Sequence, residues 1–191
     1  MKHKLKLAVL YGSTREGRFC DKVAAWLLEL LRPNTAFEID VIDPLKLELP
    51  PHHELQDSPP VQKYLARLAR ADGFIVVTPE YNHGYPAALK FLIDTAQSEW
   101  RAKPVGFVSY GGLAGGLRAV EQLRLVFAEL HAVGLRDTVS FASPWETLDE
   151  AGRLQGSASS ERALTAMMQQ LEWWGNALRD ARNSEPWKMA S

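Results

Sequence analysis

Lys6-Leu7-Ala8-Val9-Leu10-Tyr11, running directly into Gly12-Ser13-Thr14-Arg15-Glu16-Gly17-Arg18, is the stretch on which the fold turns. The first six residues read as a buried strand. The loop opens onto a helix over about Arg18–Leu31, with Val23, Trp26, Leu27, Leu30 and Leu31 on one face. A helix N-terminus carries backbone N–H groups without intrahelical partners and the positive end of the dipole, so the junction is suited to an anion such as phosphate. Ser13 and Thr14 add hydroxyls, and Arg15 and Arg18 add charge-assisted donors. Two familiar phosphate loops are excluded. Arg18-Phe19 stands where a P-loop needs Lys-Ser/Thr, and Thr14 stands where a dinucleotide fingerprint needs its second glycine. A site for a single terminal phosphate remains, alongside an ordinary glycine-containing turn whose arginines reach solvent.

Outward from this junction, strands and amphipathic helices alternate along the chain. Strands are expected at Phe37–Ile42, Gly73–Thr78, Val105–Ser109 and Thr138–Phe141. Between them, helices place Val61, Tyr64, Leu65 and Leu68, then Leu89, Leu92, Ile93 and Ala96, then Val120, Leu123, Phe127 and Leu130 inward. Gly134 is expected to end the fourth helix as a left-handed cap, and Ser159 or Ser160 to cap the last. This is the pattern of a doubly wound, five-stranded parallel sheet of order 2-1-3-4-5 with helices on both faces. Its ligand crevice lies beyond the carboxyl ends of strands one and three. Three unusual loops meet there: Gly12–Arg18, Pro79-Glu80-Tyr81-Asn82-His83-Gly84-Tyr85, and Ser109-Tyr110-Gly111-Gly112 through Gly116. In the second, flat tyrosine faces and the amides from Glu80 to Gly84 suit the edge of a heteroaromatic ring. In the third, glycines let something planar approach the backbone. Each loop alone also fits a plain turn.

Composition narrows the partners. The chain has 191 residues, 46% hydrophobic, enough for one domain with a full core, expected over residues 1–182 with a loose tail at 183–191. Lys plus Arg number 22 against 23 for Asp plus Glu, so no field steers nucleic acid. The apolar run before the first loop, about seven residues, is short for a signal peptide, and the single Cys20 rules out an internal disulfide. A cytoplasmic location without membrane or nucleic-acid partners is expected. His52-His53-Glu54 lacks companions at metal-ligand spacing, so no metal site is expected, and no hydrolase elbow is present.

Gly12-Ser13-Thr14-Arg15, Thr78-Pro79-Glu80-Tyr81-Asn82 with Pro86 and Leu89-Lys90, and Ser109-Tyr110-Gly111-Gly112 with Gly115-Gly116 occur in order and at matching spacing. Together, over about residues 5–135, they resemble the NADPH-dependent FMN reductase family of flavodoxin-like proteins, which includes quinone, chromate and azo-dye reductases. The resemblance implies FMN as cofactor and NADPH or NADH as co-substrate. It implies that Ser13, Thr14, Arg15, Gly17, Arg18, Phe19 and Cys20 hold the FMN phosphate. Pro79, Glu80, Tyr81 and Asn82 would line the isoalloxazine edge, and Ser109, Tyr110, Gly111 and Gly112 its other side. No side chain would act as acid or base, since hydride passes to flavin N5 and electrons go on to a small acceptor in ping-pong fashion. The family's homodimers or homotetramers imply subunit contacts near Asp94, Glu99 and Trp100. Arg18, Cys20 and Phe91 depart from the family's usual residues. A flavodoxin-type electron carrier and a non-catalytic nucleotide-binding domain are the alternatives, the former disfavoured by near-neutral charge.

Overall fold

A computed structural model describes residues 4–53, 58–185 and 187. Glu54 of the histidine run, the middle of the proline-rich connection and most of the expected tail lie outside the described residues. The elements are β1 (Leu5–Tyr11), α1 (Cys20–Leu31), β2 (Phe37–Ile42), α2 (Pro59–Arg70), β3 (Gly73–Pro79) and α3 (Ala87–Asp94), then β4 (Pro104–Gly111), α4 (Leu117–Glu129), β5 (Val133–Gly134), β6 (Val139–Ala142) and α5 (Ala158–Ser184). All pairings are parallel, in the order β2-β1-β3-β4-β5, with β6 also on β4. This is the expected doubly wound order.

The sheet is buried on both faces, which is why β3 and β4 are continuous apolar runs. Leu7, Val9, Ile75, Val77 and Val108 pack against α1 and α5. Ala8, Leu10, Phe74, Val76, Val105 and Phe107 pack against α2, α3 and α4. Alternation along each strand assigns its side chains to the two layers.

The expected fifth strand, Thr138–Phe141, is present as β6, and an additional two-residue strand, β5, precedes it on the same side of β4. Leu135 still donates to Val105 O, but Arg124 of α4 donates through Nη1 to Leu135 O at 2.5 Å and through Nη2 to Arg136 O at 2.9 Å. Those carbonyls turn toward the helix, and the ladder resumes at Val139. Gly134 lies in β5 and does not cap α4. The left-handed residue is His131 at φ 58°, with its N–H on Ala128 O and the N–H of Ala132 on Phe127 O. Those two bonds form a Schellman motif, here without glycine. The cap of α5 is Ser157, whose Oγ accepts from the Ser160 N–H, and α5 runs unbroken to Ser184. Trp100, expected near a subunit contact, is fully buried between Phe74 and Phe127, its indole N–H on Ile93 O.

Among the described residues no helix is long and apolar enough to cross a membrane, and no cluster of three or more His, Cys, Asp and Glu is placed to hold a metal.

Candidate functional site

The first loop leaves β1 with its backbone pressed on β3. The Gly12 N–H donates to Val77 O at 2.7 Å, and a Cβ at Gly12 would stand 2.8 Å from that same oxygen. Glycine is therefore required there for packing. Beyond it, the amides of Thr14, Glu16 and Gly17 carry no hydrogen bond among the described residues. Phe19, at the N-cap of α1, supplies no side-chain cap. Uncapped amides at the start of a twelve-residue helix are what an anion needs. The exposed Arg15 lies over the Tyr81 ring, its guanidinium carbon 3.9 Å from the centroid, and the buried Ser13 Oγ is 2.9 Å from Tyr81 Oη.

Arg18 is placed differently from Arg15. Its side chain is 4% exposed, and four of its five N–H donors are engaged inside the protein. Nη1 and Nη2 make a two-pronged pair with Asp43 at 2.8 Å each, Nη1 also meets Ser13 O at 2.7 Å, and Nε meets Asp21 at 2.8 Å. Burial pushes the Asp43 carboxyl up, but the Arg18 hydrogen bonds, the Leu45 N–H and the Arg18 and Lys46 charges together outweigh it and hold the group below its ordinary value. Arg18 thus shapes the loop from beneath through the Ser13 carbonyl. Sequence reasoning did not single out Asp43, although its position just after β2, beside β1 in the sheet, is a readable signal. Cys20 is fully buried, its thiol directed at Val77 O, and burial raises it to about 11, which leaves no thiolate at neutral pH.

The second loop is a two-residue hairpin. Tyr81 and Gly84 exchange N–H···O bonds of 2.9 and 3.1 Å, with Asn82 at φ 51° and His83 at φ 67° between them. Both central residues at positive φ mark a type I′ turn, which Asn tolerates and His seldom adopts. Gln122 of α4 braces it, Nε2 donating to His83 O at 2.7 Å. The expected row of open amides is therefore shorter. Glu80 N–H goes to Tyr110 O, and those of Tyr81 and Gly84 close the hairpin, leaving Asn82 and His83. The Glu80 carboxylate accepts from the Arg118 N–H at 3.1 Å and from Arg118 Nη1 at 2.8 Å. It caps α4 from outside and ties the second loop to the third. Pro79, the last residue of β3, is buried.

In the third loop, Ser109 Oγ and Ser140 Oγ both donate to Gly115 O, at 2.9 and 2.8 Å. Gly116 sits at φ 87°, and a Cβ there would lie 2.7 Å from Ser109 Cβ, so only glycine fits. Gly112 is exposed, and a Cβ on it would meet nothing within 4 Å. Tyr110 is buried; its hydroxyl faces the Cys20 thiol without forming a hydrogen bond of ordinary geometry. Beside Thr14, a groove of about 380 Å³ is lined by Leu47, Leu49, Pro50 and Phe91, where His53 stacks on Phe91 at 4.4 Å. Among the cations nearby, Lys90 pairs with Asp94 and Arg118 with Glu80, while Arg15 has no acidic partner among the described residues.

An uncapped α1 N-terminus, the exposed Arg15, the unpaired Asn82 and His83 amides and the open space at Gly112 all lie at the carboxyl ends of β1, β3 and β4, the ligand edge of a flavodoxin-like fold. The family model for NADPH-dependent FMN reductases matches residues 5–146, and the chain belongs to that family. An NAD(P)H-dependent FMN reductase of Schizosaccharomyces pombe is 37% identical over 120 residues, which are 58% of this chain and 60% of that protein. A 2-hydroxy-1,4-benzoquinone reductase of a Burkholderia species is 32% identical over 185 residues, covering 93% of this chain and 98% of its own. The fold is shared with FerB, an NAD(P)H:(acceptor) oxidoreductase from Paracoccus denitrificans, at TM-score 0.71 and 22% identity, over 91% of this chain and 98% of that one.

Proposed function

We propose that this chain is an FMN-dependent NAD(P)H oxidoreductase that takes hydride from NADPH or NADH and passes electrons to a small acceptor such as a quinone or free flavin. The observation that carries the reading is the convergence of three loops at the carboxyl ends of β1, β3 and β4, with unpaired amides before an uncapped α1 and open space at Gly112. Bound there, FMN would supply hydride uptake at N5 and the return of electrons to an acceptor.

The chain's residues bind and orient. The amides of Thr14, Glu16 and Gly17, the first turn of α1 and the Arg15 guanidinium hold the phosphate dianion. The Asn82 and His83 amides face the ring edge, and their positive-φ turn keeps them fixed, so little reorganisation accompanies binding. Glu80, engaged with Arg118, holds the second loop against the third and takes no proton in the reaction. Gly112 leaves room for a second ring over the first. Donor and acceptor use that same opening in turn, which makes the kinetics ping-pong. A surface for a second copy lies on α4, where Leu117 and Leu125 are exposed about two turns apart, with Glu121 between them and Leu113 on the adjoining loop; assembly is as a homodimer or homotetramer.

The test is an FMN titration of the purified protein followed by quenching of flavin fluorescence. The native chain is expected to bind one FMN, and Arg15→Leu to weaken it about 30-fold, the loss of one charge-assisted phosphate contact of about 2 kcal/mol. Equal affinities would remove Arg15 from the phosphate site, and no binding by the native chain would overturn the reading.

A further inference from the structure

A fourth segment reaches the carboxyl end of the sheet, and neither the three loop motifs nor the charge pattern singled it out. After β6 the chain turns through Ser143, held at φ 43° and ψ 50°, in the left-handed region that a serine seldom occupies. The turn is pinned to the third loop, because the Ser143 N–H donates to Gly111 O at 2.8 Å. It is closed on itself by the Glu146 N–H on Ser143 O and by Thr147 Oγ1 on Pro144 O, each at 3.0 Å. Its product is the placement of one side chain. Trp145 stands edge-on to Phe19, ring centroids 6.5 Å apart at 89°, and Phe19 in turn lies 5.9 Å from Tyr110. Phe19 is the N-cap of α1, where the phosphate amides are.

Trp145 is nevertheless 51% exposed, and its indole N–H has no protein partner among the described residues. A strained turn that leaves half of a tryptophan in water, beside an anion site, is poorly explained by packing alone. We propose that Trp145 forms a wall of the FMN site on the phosphate side, its N–H donating to a phosphate or ribityl oxygen and its flat face covering the chain that joins phosphate to ring. This rests on the FMN reading above.

The experiment compares the native protein with Trp145→Phe and Trp145→Ala, stripped of flavin and titrated with FMN, with thermal melting of each flavin-free protein in parallel. Trp145→Ala is expected to raise the FMN Kd about tenfold and Trp145→Phe about threefold, since the phenyl ring keeps the cover and loses the donor. FMN is also expected to quench a smaller share of the tryptophan emission in Trp145→Phe than in the native chain. Flavin-free melting temperatures are expected to agree within about 2 °C. Three indistinguishable Kd values, with native FMN binding intact, would overturn the assignment while leaving the FMN reading in place. So would a large fall in melting temperature accompanied by unchanged affinity, which is the signature of a packing role. Absence of FMN binding by the native protein would instead defeat the underlying reading.

Discussion

Arg18→Met is expected to cost about 3–5 kcal/mol of folding stability, the penalty for removing one partner of a buried ion pair and leaving the other charged. Asp43 would lose both prongs of its pair in a site where it is 6% exposed, and the Ser13 carbonyl would lose its donor. The loop above would lose its support, so FMN affinity falls with stability. Urea unfolding measures the first effect and fluorescence titration the second. The pH dependence has a definite sign. In the native protein the Asp43 carboxyl is held below its unfolded value of about 3.9, so its contribution is full above that pH and disappears as pH falls through the folded value. In Arg18→Met the unpaired carboxyl is raised by burial, so mild acidification recovers part of the deficit. Asp43→Leu added to Arg18→Met is expected to restore stability further. A single variant as stable as the native chain would show that the pair does not support the loop.

Gly112→Trp is expected to lower NADPH oxidation about 100-fold while FMN stays bound. The space beyond Gly112 is open, and its backbone is outside the region reserved for glycine, so a large side chain is accommodated without strain. That side chain would cover the opening proposed for the nicotinamide. Gly112→Ala, which adds one methyl group into the same space, should be close to native. Steady-state oxidation with a quinone acceptor, alongside the flavin absorbance of each purified variant, separates loss of donor access from loss of cofactor. Unchanged turnover in Gly112→Trp would place the donor elsewhere.

The sheet order was legible because alternation of apolar strands with amphipathic helices leaves few right-handed arrangements. The first, third and fourth strands, fully sandwiched, carry the strongest signal. What escaped reading depended on distant side chains. The extra strand β5 ends where Arg124 takes the Leu135 and Arg136 carbonyls, and His131 accepts a left-handed conformation that glycine was expected to fill. The same holds at the site. Glycines, hydroxyls and prolines marked all three loops, since their backbone demands are local. Arg15 and Arg18 looked alike in sequence, and only the fold separates them, bringing Asp43 under one and Tyr81 under the other. Trp145 gave no local sign, because its position comes from the bond between Ser143 and Gly111.

On the proposed function, this crevice holds FMN and NAD(P)H reduces it there. The visible spectrum of the purified, FMN-loaded protein, recorded before and after anaerobic addition of NADPH, tests it most directly. A yellow flavin band is expected that bleaches on addition and returns when a quinone is admitted. A protein that stays colourless after incubation with FMN, or a bound flavin band that NADPH leaves unchanged, would contradict it.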